Sequence, residues 1–138
     1  MERYRIIDEP KSKPWGEKLI VDPIFILLAA ILIPLVWNPP YLGRFWMPSV
    51  WLFVNGLALG SSTLGKEIRA LLAGGLLCLA VFYLSMLIPR WSNGLVTLQD
   101  ILPYARIILF GVFFMTIYLV VFQQGRSYQL FQYVRGGE

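Results

Sequence analysis

The sequence predicts an all-α integral membrane protein, with four transmembrane helices in an antiparallel bundle joined by short loops. Of the 138 residues, 57% are hydrophobic and 14% are charged, against roughly 45 to 50% and 25% in soluble domains. A soluble chain of this size hides only about 60 to 70% of its surface on folding, so the excess apolar surface is expected to face lipid. Four apolar stretches approach the length of about 20 residues that crosses a bilayer.

The chain divides into a polar arm, a four-span region and a short tail. Residues 1–18 carry charges of both signs and are interpreted as a cytoplasmic arm. The transmembrane domain is expected at 19–124. Its predicted spans lie at about 19–37, 45–63, 68–88 and 102–122. Residues 125–138 are interpreted as a cytoplasmic tail, because Gly125 favours a helix stop; this tail either lies on its own bundle or docks on a partner.

Local signals mark the starts of two spans. Asp22 is placed to cap the first span, and Pro23 to occupy its first helical position, where a missing N–H has no cost. Thr97, followed three residues later by Asp100, is a capping-box pattern before the fourth span. The second span is the least hydrophobic, so the sequence leaves open whether it crosses fully.

The basic residues predict an orientation. Nine of the twelve Lys and Arg residues lie in the arm, the loop between spans two and three, and the tail, whereas three lie on the opposite side. Since cytoplasmic loops are enriched in Lys and Arg, both termini are expected in the cytoplasm. Compact size and the lack of a eukaryotic-type targeting segment favour a bacterial inner membrane.

Small and polar residues on spans two and three are predicted to mediate helix packing or contact with a partner. These residues are Asn55, Gly56, Gly60, Ser62, Ala70 and Gly74. Glycine and alanine four residues apart let helix backbones approach closely in lipid. The sequence favours a contact between spans two and three, and a contact with another subunit is the alternative.

Asn55 is expected near mid-depth in span two, where its amide must find hydrogen-bond partners. The favoured interpretation is a bond to a neighbouring helix, with Ser85 or Thr116 as candidate partners. The alternative is that Asn55 lines a path for an ion or a solute.

Four charged residues are interpreted as anchors at the inner interface. They are Asp22, Lys66, Glu67 and Arg69. No charged residue is expected at the bilayer centre, which weighs against a proton-coupled carrier. The chain has no histidine and a single cysteine, which excludes paired-cysteine redox and zinc motifs. The sequence therefore predicts no catalytic, metal-binding or cofactor-binding residue and no enzymatic activity.

Two functional hypotheses remain. The favoured one is a non-catalytic structural or assembly subunit of a larger membrane complex, such as a secretion, conjugation or envelope machine. Its partners would be the lipid bilayer and other membrane protein subunits, and not nucleic acid. The alternative is a small homo-oligomeric channel or carrier that uses the polar face of span two.

Overall fold

The structure, a computed structural model, describes residues 12, 14–36 and 42–136. Within these residues the secondary structure is helical, with no strand, which confirms the predicted all-α class. A 3₁₀ helix, Glu17–Leu19, precedes the four α-helices, which are α1 (Pro23–Val36), α2 (Leu42–Leu59), α3 (Leu64–Trp91) and α4 (Leu98–Gly136). Most of the N-terminal arm, with four of its five basic residues, lies outside the described residues.

α1 begins where the sequence predicts. The backbone N–H of Ile24 donates to the Asp22 carboxylate over 3.0 Å, which satisfies one of the N–H groups that a helix start leaves unpaired. Pro23 occupies the first helical position, where its fixed φ suits the helix. Both expectations about this helix start are confirmed.

Gly60 ends α2. Its φ is 61°, in the left-handed region that glycine adopts without strain. The Gly60 N–H donates to the Leu57 carbonyl over 3.3 Å, and the Ser61 N–H to the Gly56 carbonyl over 3.2 Å. These two bonds define a Schellman helix end. α2 therefore stops short of the end predicted for span two, and a tight turn leads into α3.

Thr97 and Asp100 mark the start of α4. The Asp100 carboxylate accepts hydrogen bonds from the Thr97 N–H at 2.9 Å and from the Thr97 hydroxyl at 2.6 Å. The first of these is the bond that the acidic residue of a capping box makes to the cap residue. α4 begins at Leu98, about one turn before the predicted span.

α4 is a single helix that passes through Gly125 and ends at Gly136. The helix stop expected at Gly125 is therefore wrong. A glycine inside a helix costs only about 1 kcal/mol relative to alanine, and the nearby Gln124 and Ser127 side chains are buried and hydrogen-bonded to other segments. At about 1.5 Å per residue, the 39 residues of α4 extend about 58 Å.

α3 and α4 run in opposite directions. Glu67, near the start of α3, meets Gln124 in the second half of α4. Gly74, farther along α3, faces Thr116, which lies earlier in α4. The two helices therefore run antiparallel.

The apolar core is built around α4, which contacts each of the other three helices and packs most extensively on α3. Its buried residues are Ile26, Leu52, Phe113, Ile117, Val120 and Val121. Four of these six belong to α4. This helix therefore organises the bundle, and the polar residues along it are held at fixed positions against its neighbours.

Within the described residues, α3 and α4 are each long and apolar enough to cross a membrane. Only 11% of the most apolar window of α3 and 28% of that of α4 is buried, whereas a helix in the core of a soluble domain is mostly buried. Leu72, Leu76 and Leu79 on α3 are all more than 60% exposed. α1 and α2 contain the shorter apolar segments Pro23–Leu32 and Met47–Leu59.

Candidate functional site

Six polar side chains meet at the end of the bundle where α2 turns into α3. They are Asn55, Ser61, Thr63, Glu67, Gln124 and Ser127, which we call the polar cluster. All except Thr63 are at most 7% exposed, and Gln124 is fully buried. Since a buried polar group costs free energy unless it is hydrogen-bonded, the bonds within the cluster decide its stability.

Glu67 is the acceptor at the centre of the polar cluster. Its Oε1 accepts hydrogen bonds from the Ser61 and Thr63 hydroxyls, both at 2.6 Å. Its Oε2 accepts from Gln124 Nε2 at 2.8 Å. Among the described residues no Lys or Arg pairs with Glu67, so neutral donors alone compensate the buried carboxyl group.

Gln124 joins three helices. Its Nε2 donates to the Leu52 carbonyl of α2 at 2.7 Å and to Glu67 of α3 at 2.8 Å. Its Oε1 accepts from Asn55 Nδ2 of α2 at 3.2 Å. Both N–H groups and the carbonyl oxygen are thus engaged, which fixes α4 relative to α2 and α3.

Asn55 links the polar cluster to the segment before α1. Its Oδ1 accepts from the Val21 backbone N–H at 2.9 Å. The partners considered from the sequence bond within their own helices instead, because Ser85 donates to the Phe82 carbonyl and Thr116 to the Val112 carbonyl. The amide is therefore engaged between segments, but with partners other than the two candidates.

The hydroxyl groups of the polar cluster are directed toward Glu67. Because Ser61 donates its proton to the carboxylate, its oxygen accepts, from the Ser127 hydroxyl at 3.1 Å and from the Thr63 N–H at 3.2 Å. Hydrogen bonds thus run from α4 through the turn to α3. They all end on one carboxyl group.

Gly56 allows the polar cluster to close. A Cβ at this position would lie 2.7 Å from Glu67 Oε2 and 2.8 Å from Gln124 Nε2. Contacts that short require both groups to move. Gly56 therefore faces α3 and α4 at once, and the absence of a side chain there is what brings the acid and the amide against α2.

The other small residues singled out from the sequence lie in different surroundings. Gly74 packs on Thr116 of α4. A Cβ added at Gly74 would lie 2.8 Å from the Cβ of Thr116. Ala70 is half-buried against the apolar core. Gly60 forms the end of α2, and Ser62 is exposed in the turn. The small residues of α3 therefore serve its contact with α4 more than a contact with α2.

The four charged residues expected at the interface also differ from one another. Asp22 caps α1, and Lys66 and Arg69 are exposed. Glu67 is 1% exposed and points into the bundle. The burial of Glu67 differs from its predicted position at the inner interface, and Gln124 is not among the residues predicted from the sequence. The sequence signals the buried pair of Glu67 and Gln124 only indirectly. Gln124 stands at the end of the apolar part of α4, and Glu67 follows a turn rich in Ser and Thr, at residues 61–63.

The chemistry of the polar cluster is that of an internal network. Every member has a hydrogen-bond partner within the chain, and a fully satisfied buried network rigidifies the elements it joins. Among the described residues, no group of three or more His, Cys, Asp or Glu side chains is placed to hold a metal ion. The arrangement is suited to fixing helix register.

A shallow groove of about 440 Å³ lies between the segment before α1 and the end of α4. Its walls are formed by Glu17, Ile20, Tyr128, Phe131, Gln132 and Arg135. Arg135 pairs with Glu17 at 3.6 Å and lies 5.7 Å from the centre of the Phe131 ring. Since both charged side chains are largely exposed, the pair contributes at most about 1 kcal/mol.

Comparison with known proteins yields no relative. No family model, no curated protein and no solved structure matches this chain. Its function is therefore inferred from the residues described above.

Proposed function

We propose that this chain is a non-catalytic integral protein of a bacterial inner membrane, where it serves as a structural or assembly subunit of a larger membrane complex. In this proposal all four helices cross the membrane, and both termini lie in the cytoplasm. A secretion, conjugation or envelope machine is the kind of complex that we propose it belongs to.

The exposed apolar surface supports insertion. α3 and α4 meet the requirements for a span, and α1 is apolar on its outer face as well, with Ile24, Phe25 and Leu32 each more than half exposed. α1 extends about 21 Å and α2 about 27 Å, so they fall about 9 Å and about 3 Å short of the roughly 30 Å of hydrocarbon. A bilayer accommodates such a mismatch by thinning locally, at a cost of a fraction of about 1 kcal/mol per Å.

The main support for a structural role is that nearly all side chains of the polar cluster are buried and all are hydrogen-bonded within a single chain. A residue that lines a path must face a cavity, whereas the Asn55 side chain is 1% exposed and bonded on both its oxygen and its nitrogen. Ser62 lies in the exposed turn and not beside Asn55. The polar face of span two is thus used inside a single chain, which supports the subunit hypothesis over a channel or carrier.

The end of α4 offers a surface for a partner. Residues 128–136, which we call the α4 extension, continue about 14 Å beyond Ser127, the point where α4 meets the α2–α3 turn. Tyr133 in the α4 extension is 77% exposed, and Val134 is 37% exposed. Tyrosine is among the residue types enriched in the few residues that dominate a protein interface.

Affinity purification from native membranes tests this proposal. A tag after Glu138, mild detergent, mass spectrometry and native sizing should recover unrelated membrane proteins in a fixed ratio. Changing Tyr133→Ala together with Val134→Ala should lower their recovery about ten-fold or more, since interface anchors contribute above 1 kcal/mol each. The matched control is Tyr104→Ala, which removes an aromatic residue of similar exposure, 70%, at the opposite end of α4.

Two outcomes would contradict the proposal. Recovery of this chain alone, as a defined oligomer, would favour the channel or carrier and make flux through an Asn55→Ala variant the next measurement. A reporter enzyme that is active only outside the cytoplasm, fused after Glu138, should be inactive. If it were active, the four-span arrangement would be wrong.

A further inference from the structure

Acidic and basic side chains differ in exposure at the end of the bundle that holds the polar cluster. Glu67 is buried, and Glu17 pairs with Arg135. Lys66 and Arg126 are both exposed. The surface at this end is therefore more positive than the mixed charges of the sequence indicate.

Arg69 turns back toward the start of α3. Its Nε donates to the Gly65 carbonyl, four residues earlier, over 3.1 Å. The exposed guanidinium is thereby drawn from the apolar part of α3 toward the end of the bundle, where long basic side chains bring their charge to the interface.

Arg126 folds back by about one turn along α4, and because α4 runs antiparallel to α3, this carries its guanidinium away from the end of the bundle. Its guanidinium lies 5.0 Å from the centre of the Phe122 ring, and Phe122 stacks on Tyr118 at 6.5 Å between ring centres. Both rings are more than half exposed. The outer face of α4 therefore passes from aromatic side chains to a cation within two turns, a pattern typical of a membrane interface.

The two guanidinium groups lie at similar depth. Glu67 and Gln124 are in contact, so they mark one level of the antiparallel pair α3 and α4. Arg69 and Arg126 each follow one of these residues by two positions, about 3 Å along the axis. Because the helices are antiparallel, these offsets lie on opposite sides of that level, and each arginine folds back toward it. Both charges therefore lie within about one turn of the same level.

The cations face different directions around the bundle. At about 100° per residue, Arg69 is about 200° from Glu67 on α3, and Arg126 is about 200° from Gln124 on α4. Since Glu67 and Gln124 face each other, both arginines point away from the contact between the helices. With Lys66, they form a collar of charge and not a single pocket.

We propose that Lys66, Arg69 and Arg126 bind the phosphate groups of anionic phospholipids around this end of the bundle. The proposal rests on the membrane insertion proposed above. The guanidinium fork matches phosphate oxygens in bidentate geometry, and lysine binds phosphate as a point charge. Because the cations are spread around the bundle, the collar selects lipids by charge and not by the shape of one headgroup.

Native mass spectrometry of the full chain in mild detergent tests the collar, by titration with phosphatidylglycerol or phosphatidylcholine. Phosphatidylglycerol should bind more tightly, and phosphatidylserine should resemble it. A single change, Lys66→Gln, Arg69→Gln or Arg126→Gln, should weaken one bound anionic lipid about five-fold, the effect of one cation at an anionic surface. The triple variant should lose most of the preference for anionic lipids, and the remainder is due to the other basic residues on the same side.

Controls separate this proposal from simpler explanations. Arg90→Gln removes an exposed cation at the other end of α3 and should leave the lipid preference unchanged. Arg126→Lys should retain most of the preference. Inorganic phosphate in excess should not displace the lipid, and displacement would indicate a site for free phosphate instead.

Three results would overturn the collar, namely equal binding of charged and neutral lipids by the unmodified chain, a preference that is unchanged in the triple variant, or binding of one anionic headgroup only. Extraction of the unmodified chain from membranes by alkaline carbonate would instead contradict the proposed insertion. A chain that resists carbonate but lacks lipid preference would contradict the collar alone.

Discussion

The two ends of the α3–α4 hairpin are held by different kinds of bond. At the end with the polar cluster, side chains connect α2, the turn, α3 and α4, across separations of up to 72 residues in sequence. At the other end, Ser92 bonds to Pro89 and Val96, and Thr97 bonds to Asp100, so each bond spans three or four residues. One end fixes the positions of helices, and the other shapes a loop.

This difference has an energetic consequence. A hydrogen-bonding group that loses its partner in a buried site bears a cost of about 1 to 3 kcal/mol, because water cannot replace the partner. Groups in an exposed loop recover much of that loss from solvent. Substitutions at the polar cluster should therefore affect global stability, whereas substitutions in the α3–α4 loop should act locally.

Gly56→Ala should have the largest effect. The added methyl group would lie 2.7 Å from Glu67 Oε2 and 2.8 Å from Gln124 Nε2, so it forces apart two hydrogen-bonded groups at once. Overpacking together with broken buried bonds should lower the free energy of unfolding by about 3 kcal/mol. Denaturant titration in detergent micelles measures this change.

Gly75→Ala is the matched control. A Cβ at Gly75 meets no atom within 4 Å, and replacing a helical glycine with alanine should stabilise α3 by about 1 kcal/mol. If the two alanine variants had similar stability, the close contact at Gly56 would not affect the free energy of unfolding. The proposed difference between the two ends would then be wrong.

Gly56 and Gly60 show what the sequence pattern can and cannot predict. The two glycines were predicted from one small-xxx-small pattern, yet Gly56 admits the polar cluster and Gly60 supplies the left-handed residue that ends α2. The spacing of the residues is the same for either use. Only the position of the helix end distinguishes them, and that position depends on the turn that follows.

Local signals were sufficient where the bond they predict is itself local. Asp22 bonds two residues away, and Asp100 three residues away, so the sequence contains all the information that these helix starts need. Glu67 and Gln124 are 57 residues apart. An acid near the end of a span can either face headgroups or pair inside the bundle, and the choice depends on which face of α3 meets α4.

Gln124→Leu should have the second largest effect. Leucine keeps most of the side-chain volume but removes the bonds to Leu52, Glu67 and Asn55. Unfolding should become easier by about 2 kcal/mol, because Glu67 Oε2 and Asn55 Nδ2 then lack their partner in a buried site. Gln132→Leu is the control on the same helix, since Gln132 is exposed and, among the described residues, bonds Tyr128 one turn earlier.

A double-mutant cycle sharpens this result. If Glu67 and Gln124 stabilise each other directly, Glu67→Leu combined with Gln124→Leu should cost about 1 kcal/mol less than the sum of the single changes. Strict additivity would mean that the two residues act independently, which would contradict a connected network.

Ser92→Ala should have the smallest effect, because its bonds are confined to the α3–α4 loop. The serine hydroxyl accepts from the Val96 N–H at 3.2 Å and bonds the Pro89 carbonyl at 3.1 Å, and their loss in a half-exposed site should cost about 1 kcal/mol or less. Hydrogen exchange should accelerate at residues 92–97 and stay unchanged at the polar cluster. Ser62→Ala, in the exposed part of the opposite turn, should alter neither region. Faster exchange at Glu67 or Gln124 in the Ser92 variant would show that the two ends are energetically coupled through the full length of α3 and α4. The polar cluster and the α3–α4 loop would then not differ in the way proposed here.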